Sequence, residues 1–371
     1  MKTFDVVIIG AGCAGLMSAQ LLAKKNLSVA LIDGKKDLLD LSFLTLGSFM
    51  NINDYGLSER VIASKIDKGS FYSTRLTVTK PADVVIIDKR QLHRELLDKC
   101  QDHGVEIFSG CRITAVNQDE SGAIVSVVDK HNSKYQGTVF IDASGTAGFL
   151  SRKLGLQEQT FPLAVGLEYD AAYSGDPHEA IFFIGPQYAG GYGWIFPLGN
   201  ARAIVGFGTY NPALRSNLKQ GLQSIVEDRR VKHLIDLDNK TTQGGNIPIT
   251  GVNTTLFTNN LVCIGDSVSQ VNPLVGEGYL FILDSAIMAT NAIVAALTSE
   301  NLSLLKNYQD KWNRTYKDHY ENAKMLQGLL AESMKSAWLT DLGLLFLKMK
   351  KARTVSRIVS GRFDKRDLWL P

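Results

Sequence analysis

The chain has 371 residues, more than one typical domain, so two lobes are expected. Its 45% hydrophobic and 21% charged residues are those of an ordinary globular protein and exclude a disordered or fibrous chain. The formal net charge of +3 is too small to point to nucleic acid, and Cys13, Cys100, Cys111 and Cys263 show neither metal-ligand spacing nor a disulfide framework. Reduced thiols and a cytoplasmic location are expected.

In chain order, residues 4–9 form an apolar run that reads as a buried parallel strand. Residues 16–25 read as a helix with Leu16, Ala19, Leu22 and Ala23 on one face, and 27–32 as a second strand ending at Asp33-Gly34. Between the first strand and the helix lies Gly10-Ala11-Gly12-Cys13-Ala14-Gly15. In such a loop the first glycine permits a tight turn, the second lets a phosphate approach the backbone, and the third lets the helix pack on the strand. The helix then aims its positive end at the phosphate. Asp33 follows near the spacing, about 20 residues, at which an acid accepts the ribose hydroxyls of a dinucleotide. Cys13 reads as a small residue beside phosphate, although a helix N-terminus also favours a thiolate.

Residues 37–75 read as irregular. A helix is expected at 90–100, after the short apolar stretch 84–87, and strands at 105–108, 124–128 and 138–141, the last ending at Asp142-Ala143-Ser144-Gly145. Residues 160–255 change in texture: short strands at 180–184, 193–196 and 201–207 suggest an antiparallel sheet. The chain returns to the first lobe at 261–264, and a long helix is expected at 278–297 with mostly helix after 302. No segment has the roughly 18 uninterrupted apolar residues of a transmembrane helix, and Asp5 with the glycine loop argues against a signal peptide.

A second glycine-rich stretch is Gly265-Asp266 followed by Asn272-Pro273-Leu274-Val275-Gly276-Glu277-Gly278. Asp266 can accept a hydrogen bond from a ribityl hydroxyl. Gly276 and Gly278 let backbone pass close to a flavin ring, and a helix starting there points its N-terminus at the ring edge where negative charge develops on reduction. The two signatures together read as the two ends of one FAD. Candidate cofactor-binding residues are therefore Gly10, Ala11, Gly12, Cys13, Ala14, Gly15, Asp33, Gly34, Arg90, Gly265, Asp266, Gly276 and Gly278. Arg90 opens its helix and either reaches the flavin or makes a surface ion pair, as does Arg94 one turn on.

These motifs, with Asp88-Lys89-Arg90-x-x-x-x-Arg94 and Asp142-Ala143-Ser144-Gly145, resemble the glutathione-reductase-2 class of flavoproteins, which includes aromatic hydroxylases, halogenases and geranylgeranyl reductases. The geranylgeranyl reductase family is the best match, through Asn272-Pro273-Leu274 and Tyr192-Gly193-Trp194-Ile195-Phe196-Pro197. The resemblance covers roughly residues 1–300. The chain departs from it at 41–49, where family members often carry cysteine and this chain has none. The block 191–197 also resembles a halogenase motif, with Tyr192 and Phe196 in place of Trp and Ile. Lys80 is a positional candidate for the halogenase lysine, although a solvated surface lysine is the preferred reading.

The expected fold is α/β: a Rossmann-like FAD-binding domain (1–155 and 256–300), an antiparallel β-sheet substrate domain (156–255) and a helical C-terminal region (301–371). Tyr192 and Trp194 face one side of a strand. They are the candidate catalytic-site residues, as walls of a substrate cavity, with plain core packing as the other reading. The resemblance implies an FAD-dependent oxidoreductase that reduces carbon–carbon double bonds of a prenyl lipid by hydride transfer. The alternative is a halogenase or monooxygenase acting through a flavin hydroperoxide on an aromatic or apolar substrate. With a single nucleotide fingerprint, electrons are expected from an external donor: NAD(P)H, a flavin reductase or ferredoxin. The tail, 337–362, sets an apolar stretch beside basic residues, which fits either peripheral contact with an anionic membrane or a helix packed on the substrate lobe.

Overall fold

The computed structural model describes residues 2–157, 163–249, 251 and 255–369. Two eight-stranded sheets organise the chain. The first runs Leu261–Cys263, Lys134–Asp142, Thr3–Ile9, Val29–Ile32, Glu106–Phe108, all parallel, with the short antiparallel strand Phe257–Thr258 at one edge and the hairpin Ile113–Gln118/Ile124–Asp129 beside Lys134–Asp142. The apolar parts of its central strands are its core: Val6, Val7, Ile8, Leu31 and Ile141 are fully buried. Helices Cys13–Ala23 and Tyr279–Thr298 pack together on this sheet. Tyr279–Thr298 has the length and hydropathy to cross a membrane, yet most of it is buried inside the protein: Phe281, Leu283, Ala286, Ala289 and Ile293 are inaccessible.

The second sheet runs Ile235–Pro248, Leu163–Tyr173, Arg202–Thr209, Gly191–Gly199, Glu179–Phe183, Ile62–Tyr72, Thr77–Asp88, Thr45–Ser48. All neighbours are antiparallel except Glu179–Phe183 beside Ile62–Tyr72. Residues 37–75 are thus not irregular: they supply two strands, and three strands from within 1–155 join this second sheet. Their apolar pattern is weak because much of Ile62–Tyr72 and Thr77–Asp88 is only half-buried, which is why the sequence conceals them. The junctions expected near 156 and 255 adjoin residues 158–162 and 252–254, which lie outside the described residues.

The helix expected at 90–100 runs Lys89–Asp102, capped by the Asp88 carboxylate, which accepts from the Gln91 N–H at 2.9 Å. The C-terminal region is helical: Lys306–Ser333, Ala337–Met349, Ala352–Val359 and Lys365–Trp369. Asp341 ties Ala337–Met349 to the turn before Thr77–Asp88 by accepting from Arg75 Nε at 2.7 Å and from the Ser73 hydroxyl.

Candidate functional site: a cavity between the two sheets

The loop after Thr3–Ile9 is built by backbone contact. Gly10 has φ +104°, and a Cβ there would lie 2.2 Å from the Ala143 carbonyl oxygen. A Cβ on Gly15 would lie 1.9 Å from the Gly10 oxygen. Gly12 differs: among the described residues, nothing beyond its chain neighbours lies within 4 Å of where its Cβ would be. Helix Cys13–Ala23 has no side-chain cap at Gly12, so its first N–H groups face that open space. Asp33 sets the loop, its Oδ2 accepting from the Ala11 N–H at 2.8 Å and its Oδ1 from the Lys35 N–H at 2.7 Å. Gly34 packs against Arg112. Cys13 is buried, and burial pushes its thiol well above the ordinary value, so it is a neutral side chain here.

The turn Gly265-Asp266 is held by a buried network. Gln270 Oε1 accepts from the Gly265 N–H at 2.6 Å and the Ser285 hydroxyl at 2.6 Å, while its Nε2 donates to the Tyr308 hydroxyl at 2.8 Å. Asp266 Oδ1 is shielded from solvent and has no hydrogen-bond partner among the described residues. Burial raises its carboxyl to about 6, with Lys89 pulling the other way. The 272–278 loop closes on itself through Gly276 N–H to Asn272 O (2.9 Å) and Asn272 N–H to Glu277 O (2.8 Å). Gly276, at φ +72°, makes the turn, and Gly278 caps helix Tyr279–Thr298 without a side-chain bond. Glu277 accepts from the Ser48 hydroxyl and the Phe49 N–H, and burial raises its carboxyl to about 7.

Above this loop lies a cavity of about 360 Å³ between the sheets. Asp266, Gly276 and Gly278 form its floor, and Phe43, Phe182, Tyr192, Trp194 and Phe196 are among its walls. Trp194 and Phe196 stack at 6.2 Å, and Phe182 meets Phe196 edge-on at 5.6 Å. The Tyr192 hydroxyl donates to the Val275 carbonyl, joining the second sheet to the 272–278 loop. Segment 41–49, where the sequence departs from geranylgeranyl reductases, also lines the cavity through Ser42, Phe43, Thr45, Leu46, Gly47 and Phe49.

The fold thus brings Asp266, Gly276, Gly278, Tyr192 and Trp194 to one cavity, and Gly10 to Gly15 with Asp33 and Gly34 to the neighbouring loop. Arg90 is exposed and does not line the cavity; its neighbour Lys89 does. The Lys89 ammonium sits 5.4 Å from the Tyr279 ring and 5.8 Å from the Phe43 ring, and burial lowers its pKa although Asp266 and Glu168 pull it back. Lys80 donates to the carbonyls of Lys348 (2.7 Å) and Lys350 (2.6 Å), so it ends helix Ala337–Met349. Two cavity residues escaped sequence reasoning. Lys89 stands one position from the residue singled out. Glu168 is an acid on the inward face of Leu163–Tyr173, in step with Ala164 and Gly166, and that misplaced charge was its only signal.

Comparison with known proteins places this geometry. The chain is 26% identical over 332 residues to digeranylgeranylglycerophospholipid reductase 1 of Methanosphaera stadtmanae, covering 84% of this chain and 81% of the relative. It superposes on a geranylgeranyl bacteriochlorophyll reductase-like protein from Thermoplasma acidophilum with a TM-score of 0.86 and 18% identity, over 100% of this chain and 95% of that one. Against the flavin-dependent brominase Bmp2 the TM-score is 0.74 and the identity 19%, over 97% and 94% of the two chains. The α/β fold and the kinship with geranylgeranyl reductases agree with the sequence reading. The family match, which the sequence reading did not anticipate, is to the family described as lycopene cyclase protein and spans residues 5–370. By that span, nearly its whole length, the chain belongs to the lycopene cyclase protein family.

Proposed function

We propose that this protein reduces carbon–carbon double bonds in a prenyl lipid. The chain is an FAD-dependent oxidoreductase. The observation that carries the substrate class is the aromatic cavity lying on the Asp266–Gly278 floor, which suits an apolar substrate. The name of the Methanosphaera relative, a reductase of a digeranylgeranyl lipid, supports the same class.

The residues fit FAD. The open space at Gly12, faced by the uncapped helix Cys13–Ala23, would take the pyrophosphate. Asp33 has acceptor capacity left for ribose hydroxyls, and the orphaned Asp266 Oδ1 needs a donor such as a ribityl hydroxyl. When bound, FAD supplies the electron pair and one hydrogen that a double bond takes up. The cavity walls exclude water and hold the lipid chain in place, and the Tyr192–Val275 bond keeps wall and floor in register. Electrons come from an external donor, since the chain carries one nucleotide signature.

Access is through the C-terminal helices. Ala352–Val359 lends Val355 and Val359 to the cavity wall. The preceding helix Ala337–Met349 exposes Trp338, Leu342, Leu345, Phe346 and Met349, and Lys348, Lys351 and Arg353 are exposed beside them. This pairing of apolar and basic surface suits peripheral contact with an anionic bilayer that holds the substrate. Trp338→Glu with Leu342→Glu is expected to abolish co-flotation with anionic vesicles while FAD content is unchanged.

One observation favours the oxygen-using alternative: among the described residues that line the cavity, Lys89 is a lysine whose ammonium has neither hydrogen bond nor ion pair. The deciding experiment uses purified holoprotein reduced with dithionite under nitrogen and mixed with digeranylgeranyl phospholipid vesicles. Mass spectrometry should read a gain of two hydrogens per double bond. No gain under nitrogen, with turnover only when oxygen and halide or an aromatic substrate are added, would replace this reading with the alternative.

A further inference from the structure

Double-bond reduction needs an acid as well as a reductant, and no motif in the sequence identifies one. Glu168 lies mid-strand in Leu163–Tyr173, 4% exposed, and lines the cavity. Its Oε1 accepts from Gln243 Nε2 at 2.8 Å, across the register pair Glu168–Gln243. On the other side its register partner is Gly206. A Cβ on Gly206 would lie 2.2 Å from Trp194 Cε2, and one on Gly208 3.3 Å from Cζ3. These two glycines make a bed on which the indole lies, next to the strand that carries Glu168. The Gln243 amide holds the carboxyl in place.

We infer that Glu168 is the catalytic acid of this site, the group that delivers a proton to the carbon of the substrate double bond that reduced FAD does not supply. The inference rests on the reductase reading. The π bond breaks and two C–H bonds form. One hydrogen and both electrons would be supplied by reduced FAD, which that transfer would oxidise. The Glu168 O–H gives the other hydrogen as a proton, keeps its bonding pair as carboxylate, and is later reprotonated from solvent. Lys89 lines the same cavity, and its positive charge favours the carboxylate so formed.

The electrostatics agree. Burial raises the Glu168 carboxyl to about 8, beyond what Trp194, Lys89 and Gln243 pull back, and Asp170 on the same strand adds to the rise. No charged side chain of the flanking strands 202–209 and 235–248 is among the main influences on it. The acid form is thus present at neutral pH and is lost as pH rises through about 8.

The test compares wild type, Glu168→Gln and Glu168→Asp as FAD-loaded, dithionite-reduced proteins with digeranylgeranyl phospholipid in heavy water. Wild type should reduce the lipid with two deuteriums per double bond, since the flavin N–H also exchanges with solvent, and should lose rate above about pH 8. Glu168→Gln should fall by about 10²-fold or more with unchanged FAD content and flavin absorbance. Glu168→Asp should recover part of the rate and restore the alkaline limb. Infrared spectroscopy should show a protonated carboxyl band that titrates near the same pH and is absent in Glu168→Gln. If wild type reduces the lipid and Glu168→Gln matches it in rate and alkaline limb, Glu168 is not the acid and the reductase reading stands. If wild type reduces nothing, both fall together.

Discussion

In the parallel-sheet lobe, Gly10 and Gly15 let backbone approach backbone; in the antiparallel lobe, Gly206, Gly208 and Gly245 let rings lie on the sheet. Gly10 and Gly15 are locked by carbonyl oxygens of Ala143 and Gly10, so the loop that faces Gly12 is rigid before any ligand arrives. Gly206 and Gly208 instead carry Trp194, and Gly245 carries Phe43, whose Cε2 would be 2.6 Å from an added Cβ. On the proposed reading, the first arrangement preorganises a site for the phosphate that every dinucleotide brings. The second shapes the cavity proposed for the substrate, and glycine spacing gives no clue to which rings will line it.

The largest test of this contrast is within one loop. Gly15→Ala meets backbone that cannot yield, and a loss of about 3 kcal/mol in unfolding free energy is expected from urea titration of FAD-free protein. Gly12→Ala meets no protein atom, so its FAD-free stability should match wild type while FAD retention after gel filtration is lost. Equal stabilities for the two variants would break the comparison. In the other lobe, Gly206→Ala should displace the indole at a cost of about 2 kcal/mol, leave FAD content unchanged and depress lipid reduction.

Glu168→Gln should raise stability. A buried carboxyl whose pKa rises from 4.5 to about 8 on folding favours the folded state fully only below 4.5, and that contribution is lost as pH rises to about 8. The melting temperature of the variant should therefore exceed that of wild type by a margin that widens across this window, at no more than about 1.4 kcal/mol per pH unit. A constant margin would mean that Glu168 does not titrate there. The smallest effect is expected for Tyr192→Phe, which removes the bond to Val275 and should lower unfolding free energy by about 1 kcal/mol with FAD retained.

Much of the first lobe was legible because its signals are local. The buried strand 3–9, the glycine loop, Asp33 and the Gly265–Gly278 stretch each meet requirements set by a few neighbouring residues, and helix Tyr279–Thr298 announces itself by composition. The strands at 45–88 were illegible because much of their length is half-exposed, so their apolar alternation is incomplete. Lys89 and Arg90 look alike in sequence, as two cations opening one helix. Only helix orientation turns Lys89 into the cavity and Arg90 outward.

By itself, then, the sequence determined the nucleotide-binding architecture and the cofactor, since close backbone approach demands glycine at set spacings. The tertiary structure alone decided what surrounds the reacting end. Glu168, Gly206 and Gln243 come from three different strands, and Phe43 and Lys89 from segments that sequence reasoning had assigned to the other lobe. Their meeting depends on register and sheet pairing, which are set by long-range burial rather than by any neighbouring residue.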